Sequence, residues 1–65
     1  MTELPASYAK YLVGRDELFV DTIRPILLQS AADKVQGVRV VIDPQVLQAH
    51  LDERIPYGEI VEDID

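Results

Sequence analysis

Gly37-Val38-Arg39-Val40-Val41-Ile42-Asp43-Pro44 is the stretch on which the reading of the fold turns. Four of the five residues from Val38 to Ile42 are β-branched. Such side chains are stiff at χ1 and pack well on a pleated surface, so they favour the extended chain. The run predicts a β-strand over 38–42, with Val38, Val40 and Ile42 on one face and Arg39 and Val41 on the other. Asp43-Pro44 then reads as a helix start. The aspartate side chain can accept from the first free N–H groups, and proline suits the first helical position. Val46, Leu47, Leu51 and Ile55 follow at helical spacing, and Pro56 stops the run. A capped helix over 44–55 is the expectation.

Toward the N-terminus, residues 1–4 read as a short arm. Pro5 opens a helix over 5–13 that places Tyr8, Tyr11 and Leu12 on one face, and Gly14 ends it. Asp16 caps the next helical region, whose apolar stripe runs through Leu18, Phe19, Ile23, Ile26 and Leu27. Pro25 removes a backbone donor within that stripe. It either kinks one helix or divides two. Toward the C-terminus, Pro56-Tyr57-Gly58 is a turn signal, and Glu59 to Asp65 form an acidic tail.

The expected fold class is therefore α+β and mostly helical. Two or three N-terminal helical segments precede one β-strand at about 38–42, a capped helix at about 44–55 and the acidic tail. All 65 residues form a single small domain, with 56–65 as turn and tail. Phe19, Ile23, Leu27, Val40, Ile42, Leu47 and Leu51 are the expected core. A lone strand leaves its backbone groups without partners. Glu59 to Asp63 is the candidate within the chain, giving a small βαβ unit with parallel strands. The same strand of a second copy, or the sheet edge of another protein, would serve equally.

Composition narrows the function. The chain has no cysteine and one histidine, which excludes a disulfide framework and a Cys- or multi-His metal site. Its longest apolar runs are three residues, too short for a membrane-spanning helix or a signal-peptide core. With no export signal visible, the cytoplasm is the default location. Residues 1–42 balance five basic against five acidic side chains. Residues 43–65 carry seven carboxylates against Arg54 alone, and so hold the whole net charge of −6. A phosphate backbone is repelled by that end, which disfavours nucleic acid as a partner and favours a basic protein surface.

Catalytic patterns are weak. His50, Asp52 and Glu53 lie close together on the expected helix, but two or three such ligands on a charged face read as a solvated surface rather than a metal or proton-transfer site. Asp16, Glu17 and Asp21 sit among Lys10, Arg15 and Arg24, which neutralise them. No nucleophile elbow surrounds Ser7 or Ser30, and Gly14, Gly37 and Gly58 are too scattered to cradle phosphate. No cofactor is implied.

The sequence therefore points to a non-enzymatic protein–protein interaction module, assembled as a homo-oligomer or as a small subunit of a larger complex. A chain this short buries only about 60% of its unfolded surface, and a second chain is a common remedy. The expected contact residues are Val38, Val41, Tyr57, Glu59, Ile60, Glu62 and Asp63. The partner is a protein or a second copy, with neither nucleic acid nor membrane involved. The alternative is an acidic regulator, antitoxin-like or a nucleic-acid mimic, whose C-terminal tail blocks a basic protein.

Overall fold

The computed structural model describes residues 4–64. Two helices, α1 (Ala6–Leu12) and α2 (Glu17–Asp33), are followed by three strands, β1 (Gln36–Ile42), β2 (Leu47–Pro56) and β3 (Ile60–Ile64). The strands form one sheet in the order β2-β1-β3. β1 pairs antiparallel with β2 and parallel with β3. The mostly helical, one-strand expectation is thus corrected to a balanced α+β fold. Of the arm read over residues 1–4, positions 1–3 lie outside the described residues, as does Asp65 of the acidic tail.

α2 forms as its caps dictate. Asp16 accepts the N–H of Leu18 at 3.0 Å and starts α2. Lys34 ends it in the left-handed conformation, its N–H returning to the Ser30 carbonyl. α2 runs unbroken through Pro25. Pro25 and Asp21, whose carbonyl would otherwise receive the missing N–H, are both exposed, so water can satisfy that carbonyl.

The main correction falls at 44–55, where a strand replaces the expected helix. Asp43 does make the hydrogen bond of a helix cap, its Oδ1 accepting the Gln45 N–H at 2.9 Å. Here that bond closes a hairpin loop instead, with the Asp43 N–H donating to the Val46 carbonyl at 3.0 Å. Leu47 and Leu51 are four apart and share a face in either a helix or a strand. Ala49 between them decides the matter. Leu47, Ala49 and Leu51 pair with Ile42, Val40 and Val38 and pack inward, while Gln48 and His50 are exposed. The period is two.

The second correction is the tail, which is the strand β3 rather than a free acidic end. Its parallel pairing with β1 matches one of the expected arrangements, but the return leg between them is β2 and not a helix. Because β2 and β3 flank β1 on opposite sides, their connection passes across the start of β1. Gly37 permits the crossing. A Cβ there would sit 2.6 Å from the carbonyl oxygens of Pro56 and Glu59 and closer still to Ile55 Cγ2. The β1–β2 register also jumps there, from Gly37↔Asp52 to Gln36↔Pro56, so residues 53–55 bulge out and swing the chain over.

Both helices lie on one face of the sheet. Tyr8, Ile23, Leu27, Val38 and Val40 are wholly enclosed. Of the expected core, Ile23, Leu27 and Val40 are buried, and Phe19, Ile42, Leu47 and Leu51 pack around them half-buried. A buried polar chain ties the layers together. The Tyr8 and Ser30 hydroxyls are 2.7 Å apart, Ser30 donates to the Gln36 carbonyl at 2.7 Å, and the Gly58 N–H reaches the Tyr8 oxygen at 3.3 Å. With Ser30 donating to Gln36, the Tyr8 hydroxyl donates to Ser30 and each group has a partner.

Candidate functional site

The opposite face of the sheet is left without a covering layer by the described residues. The alternation that sends Val38 and Val40 inward sends Arg39 and Val41 outward. The pairing sets Arg39 beside His50 and Val61, and Val41 beside Gln48 and Asp63. At the centre, Arg39 Nε donates to Asp52 Oδ2 at 2.9 Å, and Nη1 lies 3.6 Å from Asp63 Oδ2. Arg54 grips the same Asp52 with its backbone N–H at 2.9 Å and with Nε and Nη2 at 3.1 Å each. The Asp52 side chain is only 5% exposed. The guanidinium of Arg54, then that of Arg39, then the Arg54 N–H hold its carboxyl well below the usual carboxylate range. This cluster satisfies itself. It pins the bulge at 53–55 to the central strand.

At the hairpin end of the same face, Val41, Asp43, Gln45, Val46 and Gln48 line an open hollow of about 350 Å³. Its one carboxylate, Asp43, is already engaged with the loop backbone. Among the described residues no group of three or more His, Asp or Glu side chains is arranged to hold a metal ion. His50 and Asp52, expected on one solvated helix face, lie on β2 instead, with His50 exposed and Asp52 enclosed by arginines.

The expected contact residues do not share one surface. Val38 is in the core and has no exposed area. Tyr57 is half-buried and meets Tyr8 edge-on, the ring centroids 6.0 Å apart. Glu59 is exposed, and its carbonyl accepts the Val38 N–H at 3.1 Å. Ile60 packs against the core, and Glu62 pairs beside Val40. The exposed Glu62 bears on Tyr11. Burial first, and the Glu62 charge second, push the Tyr11 hydroxyl up to about 12. Val41 and Asp63 do meet on the open face as neighbours across β1 and β3.

Reasoning from sequence missed the edge of β2 altogether. The signal was present as the alternation Leu47-Gln48-Ala49-His50-Leu51. Both outer strands, β2 and β3, present a backbone edge that no other described strand pairs. Among the described residues the fold and surface are therefore those of a two-layer α+β domain with one open sheet face and two open edges. No protein-family model, no curated protein and no solved structure matches the chain.

Proposed function

We propose that this chain is a non-enzymatic protein-interaction module that works in an assembly, as a homo-oligomer or as a small subunit of a larger complex. One observation carries the reading. A three-stranded sheet is covered by helices on one face only, and its two outer strands keep unpaired edges among the described residues. Such edges recruit further strands unless charge, proline or a bulge blunts them. The small number of wholly enclosed side chains supports the same view, since a second chain would enlarge a thin core. Arg39, Asp52, Arg54 and Asp63 neutralise one another, and their part in this reading is structural. No helix among the described residues is long and apolar enough to cross a membrane. The cytoplasm is the compartment this reading assumes, and the acidic half argues against nucleic acid as partner.

The test is the native mass of the tagged chain isolated gently from its own cells. An integer multiple of the chain mass, or a complex containing a second protein, is expected. A bare monomer with nothing bound overturns the reading. The acidic-regulator alternative rests on the exposed Glu59 and Glu62 and the carboxylate excess around them. Removing residues after Ile55 would not test it cleanly, because Gly58 and β3 hold the fold together. The variant E59Q/E62Q and a salt titration do. Charge-led binding weakens steeply with both, whereas an apolar or backbone-paired contact changes little.

A further inference from the structure

Resting on that reading, we infer that the edge of β2 at Leu47–Leu51 is a self-association site whose occupant is the same strand of a second copy of this chain, antiparallel across a two-fold axis centred on Ala49. The backbone sets the register. The Val38 N–H donates toward β3, to Glu59. Backbone groups alternate sides along a strand, so Gly37, Arg39 and Val41 turn theirs toward β2. Their partners Asp52, His50 and Gln48 are thereby engaged with β1. Leu47, Ala49 and Leu51 are left with N–H and C=O pointing away from the sheet. A two-fold axis at Ala49 sets Ala49 against its own copy and Leu47 against Leu51 of the second copy. Each of these pairs exchanges both backbone hydrogen bonds.

Charge selects this edge over the other. The β3 edge runs through Glu62 and Asp63 next to Glu59. Pairing it with its own copy stacks carboxylates, and like charges directly opposite are destabilising. Leu47–Leu51 carries no acidic, Lys or Arg side chain, no proline and no bulge. Beyond it come Asp52, held by Arg39 and Arg54, and then Glu53, the bulge and Pro56. The open segment therefore runs from the hairpin loop at 43–46 to Leu51, the length of the proposed pairing.

The helix layer fits the same symmetry. α1 lies toward β3, since Ser7 donates to the Gly58 carbonyl at 2.6 Å and Tyr11 meets Glu62 of β3. The flank of α2 turned away from α1 carries Val20, Arg24 and Leu28, with Leu28 exposed. α2 packs on both β1 and β2. With strands about 4.8 Å apart, a helix above the β1/β2 line and its two-fold mate stand about 10 Å apart, an ordinary helix-packing distance.

The experiment compares the purified full chain with two variants at exposed positions, by sedimentation across a concentration series. In the inferred register residue 48 faces residue 50 of the second copy. Q48K/H50E therefore sets opposite charges across the axis, and Q48E/H50E sets like charges. The wild type and Q48K/H50E are expected at twice the chain mass. Q48E/H50E is expected to dissociate, with a dissociation constant about thirtyfold above that of Q48K/H50E, from attraction turned to repulsion at two related pairs. Unfolding curves of the two variants at low concentration check that both fold. A monomeric wild type, or a dimer indifferent to the sign of these pairs, overturns the assignment. The interaction-module reading fails separately, only if the chain from cells is also found alone.

Discussion

Gly37 is the residue whose side chain matters most by being absent. A methyl group there meets two carbonyl oxygens and Ile55 at distances that real Cβ atoms do not reach, and two of those atoms are backbone. Gly37→Ala is expected to cost about 3 kcal/mol, the upper range for overpacking. In a domain of this size that lowers the thermal midpoint by more than about 10 °C. A melting curve decides it, and an unchanged midpoint would show that the crossing does not pass as closely as described. The sequence placed Gly37 at the opening of a strand, but nothing local in it announces that another segment passes overhead.

Asp52 gives a second prediction at this scale. Its carboxyl titrates below the unfolded value of about 3.9 because Arg54 and Arg39 favour the charged form. The unfolded chain therefore binds the proton more readily, and stability rises with pH across that window. The contribution of Asp52 is fully present above about pH 5 and is lost as pH falls through the folded value. Asp52→Asn should lower stability at pH 7 and flatten the acid limb of the melting temperature below pH 5. Parallel acid limbs in the two proteins would remove Asp52 from this role. Its residue type and its place near His50 and Glu53 suggested only a solvated charge. The two arginines converge on it because of a bulge that local pattern does not reveal.

At the scale of elements, α2 offers a clear test. Pro25 interrupts its hydrogen-bond ladder on the exposed side. Pro25→Ala restores a donor for the Asp21 carbonyl and relieves the ring's clash with the preceding turn, while losing the restraint proline places on the unfolded chain. The net expectation is a gain on the order of 2 kcal/mol, read by chemical denaturation. A loss would mean that the proline shapes α2 in a way its neighbours require. The elements also show where the sequence was readable. α1 and α2 followed from caps, glycine and helical spacing, and β1 from its β-branched run. β2 did not, because Leu47 and Leu51 satisfy a helix and a strand alike. Asp43 makes the same hydrogen bond in a hairpin loop as in a helix cap. Good helix formers such as Gln48, Ala49 and Leu51 then pull the reading toward a helix, and pairing with β1 overrides them.

For the molecule as a whole, the charge asymmetry was legible and the surface was not. The acidic end is built into a strand, where Asp63 approaches Arg39 and Glu62 bears on Tyr11, so it is not a free tail. The expected contact set divides between the core, the corner at Tyr57 and the open face, because strand alternation sends Val38 and Val41 to opposite sides of the sheet. The sheet edge, where the backbone itself is the adhesive, has no compositional mark beyond the absence of charge. Tyr8 bears on the molecule in another way. Its hydroxyl lies fifty positions from the Gly58 N–H it receives, and Ser7 reaches the carbonyl of that same glycine. The first helix thus has one polar partner in α2, Ser30, and the others in the Gly58 turn, which lies beyond two strands of the sheet. Closing so long a loop precedes any reward from those contacts. In a newly made chain α1 can meet α2 early, through Ser30 and Phe19, but its tie to the sheet closes only once residues 57–64 are in place.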